Sequence, residues 1–188
     1  GVACGEYNVF FTNNDTAYES AISLINKGIT VTAIIDIRED SNSSVVKEAE
    51  NLGIKVYRSH TVVNTFGYKK IKKISIMKLS NDGQSTIGKE IKIKCDCLGL
   101  AGGWTPAVHL FTQSGGKLKF REEDEVFIPN KYPSDQISIG SCNGDFELDN
   151  IIKNCLIKLK EFLNVNNTEY DNLSIINSKE VSKKNIWL

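Results

Sequence analysis

The sequence predicts an α/β fold: a parallel sheet flanked by helices, carrying an antiparallel β insert and followed by a β-hairpin and a long helix. Three observations carry that expectation. Residues 7–58 alternate between strand-like and helix-like patterns, residues 61–98 switch to a period of two, and the apolar positions after residue 147 recur at helical spacing.

Tyr7–Phe11 is a short apolar run that reads as a strand. Thr12-Asn13-Asn14-Asp15 is a polar turn, and Thr16-x-x-Glu19 has the form of a capping box. Ala17, Ala21, Leu24 and Ile25 then recur at helical spacing, with Asn26-Lys27-Gly28 as a stop. Ile29–Ile37 is rich in β-branched residues, as expected of a strand buried on both faces. A helix fits Ser44–Leu52, closed by Gly53, and a strand fits Ile54–Arg58. This order of elements is half of a doubly wound, Rossmann-like nucleotide fold.

The rhythm then changes. Thr61–Thr65, Lys72–Leu79 and Glu90–Leu98 read as consecutive antiparallel strands joined at Phe66-Gly67 and Asn81-Asp82-Gly83. In the last, Ile91, Ile93, Cys95 and Cys97 alternate with Lys92, Lys94 and Asp96, which sets both sulfurs on one face. Eight lysines lie between Lys69 and Lys94. With no aromatic platform beyond Phe66 and Tyr68, the ribbon reads as a solvated face and not a nucleic-acid surface. Gly99–Pro106 reads as a glycine-rich turn, Lys117–Phe120 and Val126–Ile128 as a hairpin, and Ile137–Ile139 as a short strand. Leu148, Ile151, Ile152, Cys155, Leu156, Leu159, Phe162 and Leu163 form one stripe of a long helix. Residues 164–185 are polar and aperiodic and read as a linker.

Composition narrows the function. The 188 residues hold 23 basic and 23 acidic side chains, a balance unlike that of a protein built to neutralise phosphates. No apolar run reaches the about 20 residues of a membrane span. The chain opens on Gly1 without a charged leader, and its one methionine is Met77, so it reads as a piece of a longer or processed cytoplasmic chain. Cys4, Cys95, Cys97, Cys142 and Cys155 are odd in number and scattered, as expected of reduced thiols.

The turn after the first strand is where a dinucleotide diphosphate would meet a helix N-terminus. The glycine fingerprint is absent there: of Thr12-Asn13-Asn14-Asp15-Thr16-Ala17, only the last residue is small. Side chains at Thr12 and Asn14 would obstruct the diphosphate, and Asp15 would repel it. Asn14 and Asp36 are the candidate contacts; Asp36 sits where a ribose-binding carboxylate belongs, or else solubilises a strand end. The rival is a nucleotide fold kept as scaffold. No nucleophile elbow, paired cysteine or histidine-rich cluster is present, so no catalytic or metal-ligating residue is assigned. Trp104 either covers a cofactor or plugs the sheet end.

The stretch Cys95–Phe120, CDCLGLAGGWTPAVHLFTQSGGKLKF, closely resembles the alpha subunit of heterotetrameric sarcosine oxidase. Phe11–Tyr18 resembles that family's altered dinucleotide turn, Ser141–Phe146 its returning strand-to-helix turn, and Ile186-Trp187-Leu188 the entry to its folate-binding domain. The resemblance implies a fold like that of the pyridine-nucleotide disulfide oxidoreductases. Residues 1–103 would be a nested, NAD(P)-binding-like domain, 104–163 a returning part of the FAD/NAD-binding-like domain, and 164–188 a linker toward the folate domain. It implies sarcosine oxidation at a flavin in the beta subunit, electron transfer to a second flavin between alpha and beta, reduction of oxygen, and tetrahydrofolate as one-carbon acceptor. NAD, FMN and FAD would be bound in an assembly with beta, gamma and delta subunits.

On this reading Gly102, Gly103, Trp104, Thr105 and Pro106 form a loop at the first domain's nucleotide site. Asn143 and Gly144, at the N-terminus of the long helix, offer N–H groups to a phosphate or flavin. The isolated chain would be inactive. The alternatives are an NAD(P)H-dependent flavin reductase domain, an interaction module using the lysine ribbon, or the alpha subunit of a related amine or proline dehydrogenase.

Overall fold

The computed structural model describes residues 2–133 and 136–163; the linker and the Ile186-Trp187-Leu188 motif lie outside them. The chain divides after Gly103 into two compact units, each taken by itself.

In the first unit, β1 (Tyr7–Thr12), α1 (Thr16–Ile25), β2 (Thr30–Asp36), α2 (Ser44–Asn51) and β3 (Lys55–Arg58) follow the expected alternation. Next come β4 (His60–Gly67), β5 (Ile71–Leu79) and β6 (Thr86–Lys94), then β7 (Cys97–Ala101). The strands β3-β2-β1-β7 form one sheet, parallel throughout, and β4-β5-β6 a second, antiparallel one.

Side-chain alternation sorts the parallel sheet's residues to two faces. Val9, Phe11, Ala33 and Ile35 pack against Ile74, Ile76 and Ile93 of the antiparallel sheet. On the other face Val31, Ile34 and Ile54 pack against Tyr18, Ala21 and Ile22 of α1 and Val45, Val46 and Ala49 of α2. The parallel sheet is thus the middle of three layers, and each buried Val, Ile or Phe side chain contributes about 1.5–3 kcal/mol.

Several local expectations are corrected. Glu90–Leu98 is not one strand. β6 stops at Lys94, and Asp96 accepts hydrogen bonds from the N–H groups of Tyr7 (2.7 Å) and Glu6 (3.2 Å) while its own N–H donates to Tyr7 O. The chain is thereby handed to the parallel sheet, so Cys95 and Cys97 do not share a strand or a face. Gly99 belongs to β7, where it pairs with Phe10, and not to a turn; a Cβ there would lie 2.8 Å from the Phe10 ring. No capping box starts α1: the cap position is Asp15, and Thr16 is already helical. The buried face of α1 is Ala17, Tyr18, Ala21 and Ile22, shifted from the predicted stripe.

In the second unit, α3 (His109–Gln113) precedes the hairpin β8 (Lys117–Arg121) and β9 (Val126–Lys131). A 3-10 turn at Gly140–Asn143 leads to α4 (Leu148–Leu163). Phe111, Val126 and Ile128 are buried, with the Phe111 ring seated over Gly116. Among the described residues, 137–139 pair with no strand, although Ile139 is extended. The α4 stripe is formed as expected, yet none of its residues is buried.

Candidate functional site

In an open parallel sheet a ligand crevice lies beyond the carboxyl ends of the strands, where the strand order reverses. Here that point falls between β1 and β7, at Thr12–Asp15 and Ala101–Gly103. Polar side chains of the turn fill it. Thr12 Oγ1 donates to Asn14 O (2.8 Å) and accepts from Asn14 N (3.1 Å). Asn13 Nδ2 donates to Gly102 O (3.0 Å), and Asn14 Nδ2 to Ala101 O (2.9 Å) and Asn13 Oδ1 (2.8 Å). Asn14 Oδ1 in turn accepts from Thr16 N and Thr16 Oγ1. Residues 12–15 are at most 5% exposed.

A diphosphate needs free N–H groups at the helix start. Those of Asn14, Thr16 and Tyr18 are already used, by Thr12 Oγ1, Asn14 Oδ1 and Asp15 O. The turn therefore does not fit a dinucleotide's diphosphate. Gly103, with φ near +105°, could keep its backbone angle only at a cost if replaced.

Asp36, at the end of β2, is wholly buried. It is no surface solubiliser: its carboxylate accepts from Tyr18 Oη (2.7 Å), from Arg38 N (2.9 Å), and from Arg38 Nε and Nη2 (3.0 and 2.8 Å). Arg38 Nη2 also lies 2.7 Å from Asp15 Oδ1, its side chain 6% exposed. Burial, with the Asp36 charge behind it, pushes the Tyr18 hydroxyl well above the usual tyrosine range, so it stays a donor. Burial alone would lower Arg38, but its hydrogen bonds to Asp36 and Asp15 outweigh that and hold it charged. The carboxylate that would read a ribose is thus engaged internally.

Sequence reasoning found Asn14 and Asp36 but missed Arg38 and Tyr18, which close the network. One signal was available: Asp36 and Arg38 stand two residues apart at a strand end, where side chains share a side.

In the second unit Trp104 and Thr105 line an open cleft of about 520 Å³ with Ala107, Ser141 and Phe146. Pro106 beside them is buried. Asn143 and Gly144 do not sit at the start of α4. They end the 3-10 turn, four residues or more before Leu148. The Gly144 N–H donates to Ser141 O, and its carbonyl accepts from Arg121 Nη2 (3.1 Å). Among the described residues no group of three or more His, Cys, Asp or Glu is placed to hold a metal, and no helix is long and apolar enough to cross a membrane.

A parallel sheet with helices on one face and an antiparallel sheet on the other makes the first unit a three-layer, Rossmann-like α/β domain. The fold is similar to that of T. acidophilum thioredoxin reductase (TM-score 0.53, 16% identity, 84% of this chain and 52% of that one). It is similar also to the Bacillus cereus bacillithiol disulfide reductase Bdr (TM-score 0.51, 16% identity, 73% and 42%). Within that class, the chain is a homologue of the sarcosine oxidase alpha subunits. It is 31% identical over 149 residues to the Corynebacterium sp. (strain P-1) subunit, covering 78% of this chain and 15% of that one. It is 33% identical over 128 residues to the Rhizobium meliloti (strain 1021) subunit, covering 68% and 12%. The chain thus spans about a seventh of the length of these relatives. No family model matches it.

Proposed function

We propose that the chain acts as a segment of a sarcosine-oxidase-type alpha subunit, an oxidoreductase component in which it serves as scaffold and carries no reacting group of its own. The observation that supports this most is the filled switch-point crevice, found in a chain related to those subunits. A dinucleotide fold whose own crevice is occupied by Asn13, Asn14 and the Asp15–Arg38–Asp36 network holds structure in place and does not receive NAD there. In the complete cytoplasmic assembly, with beta, gamma and delta subunits, sarcosine is oxidised at a flavin outside this chain, and FMN, FAD, NAD and tetrahydrofolate are held by the whole. Gly102 and Gly103, followed by Trp104, Thr105 and Pro106, form the loop beside the first nucleotide domain's cofactor.

Titration of NADH and NAD into the chain, followed by nicotinamide fluorescence and calorimetry, tests the scaffold role. The expected result is no saturation in the micromolar range. Saturable binding abolished by Asp36→Ala would favour an NAD(P)H-dependent flavin reductase domain. The chain alone is expected to turn over no sarcosine, and measurable oxidation would overturn the reading of it as a segment.

A further inference from the structure

The outer face of β4–β6 carries a charge arrangement that the fold does not require. Across the strands Phe66, Lys73 and Lys94 stand in one row, and Asn64, Ser75 and Lys92 in the next. Lys73 and Lys94 are directly opposite, a like-charge pair that destabilises a sheet. Lys73 and Lys92 both set their ammonium groups over the Phe66 ring, at 4.8 and 5.8 Å, and Lys94 lies 3.7 Å from the Tyr7 ring centroid. None of the three makes an ion pair among the described residues. Between them Ser75 is fully buried, and its hydroxyl has no hydrogen-bond partner.

Edge protection explains lysines on β6, an edge strand, but not Lys73 on the central strand. Over Lys69–Lys94 eight lysines meet only Asp82 and Glu90, in a chain balanced overall. We propose that this face is a docking surface for an acidic polypeptide segment of a partner subunit, whose carboxylates replace the missing counter-charges at Lys73, Lys92 and Lys94. A nucleic acid fits less well, because the Phe66 ring already carries two ammonium groups and the chain has no net positive charge. The proposal takes from the subunit reading only that the partner is a protein.

The test is fluorescence anisotropy of a labelled glutamate-rich peptide with the full chain, at low and at physiological salt. The wild type is expected to bind saturably and more weakly as salt rises. Lys73→Glu/Lys92→Glu/Lys94→Glu should weaken binding at least about tenfold, while Lys117→Glu/Lys119→Glu/Lys131→Glu, with the same net charge, changes it by less than about twofold. Lys73→Gln/Lys92→Gln/Lys94→Gln, which introduces no new charge, gives the same answer should the reversal unfold the chain on circular dichroism. Absence of saturable binding overturns the proposal, as does equal loss in both triple variants. Tighter binding of a single-stranded oligonucleotide through the same lysines also overturns it. Peptide binding is independent of NAD titration and of sarcosine turnover, so the two readings fail separately.

Discussion

Arg38 is the residue on which the first unit's closed crevice turns. Its guanidinium joins Asp36, 0% exposed, to Asp15, 4% exposed, and neither carboxylate has another cation within ion-pair reach among the described residues. Removing one partner from a buried ion pair leaves an uncompensated charge, which costs about 3–5 kcal/mol. Arg38→Met should therefore lower unfolding free energy in urea by about that amount, and combining it with Asp36→Asn should cost less than the two changes summed. Tyr18 works through the same carboxylate. Tyr18→Phe strips Asp36 of one donor at a cost of about 1–3 kcal/mol near neutral pH. The Tyr18 hydroxyl is pushed above its ordinary value of 10.0, so its contribution is fully present below that pH and is lost as pH rises through the folded value. Urea titrations across the alkaline range should show the wild type losing stability above a pH of about 10, with Tyr18→Phe losing less. A wild-type curve flat with pH would contradict the buried Tyr18–Asp36 bond.

Elements reveal which parts of the fold a sequence announces. The strand–helix–strand rhythm of residues 7–58 was legible because β-branched runs and helix stops such as Gly28 and Gly53, both at positive φ, act locally. The junction of β6 and β7 was not legible. The alternation of Ile91, Ile93, Cys95 and Cys97 continues straight through it, and what ends β6 is a contact ninety residues away in sequence, between Asp96 and the Glu6–Tyr7 backbone. The turn's missing glycines could be read directly, whereas the carbonyls of Ala101 and Gly102 that its asparagines grip could not. Backbone N–H donors hold the Asp96 carboxyl below its ordinary value of 3.8. Its contribution is thus present above that pH and is lost as pH falls through the lower folded value. Asp96→Asn should unfold more readily than wild type at neutral pH, with the difference narrowing in acid, as circular dichroism would record. Gly99→Ala brings a Cβ to 2.8 Å from the Phe10 ring and should cost about 1–3 kcal/mol through overpacking. An unchanged urea midpoint would show that β7 does not pack there.

The two units differ as wholes in how much apolar surface they hide. In the first, Val9, Ala33, Ile34, Ile35, Val46, Ile74 and Ile76 are all at or below 1% exposure, within a core built on both faces of one sheet. In the second, Trp104, Leu110, Phe120, Phe127, Ile157 and Phe162 each expose 48% or more, and on α4 Ile151, Ile152, Cys155 and Leu156 are only half-buried. Helix stability in proteins comes mostly from packing of the apolar face, so a 16-residue helix whose stripe is at most half-buried draws less on packing than the first unit's strands do. Opening free energies follow this difference, being lowest where buried apolar contacts are few. Native-state hydrogen exchange on the chain should therefore rank its elements. Amides of β1, β2 and β5 are expected to exchange only through global unfolding. Those of α4 should exchange orders of magnitude faster and gain little protection from changes that strengthen the first unit. Equal protection of α4 and β1 would mean that the α4 stripe is covered in solution and that the two units unfold as one.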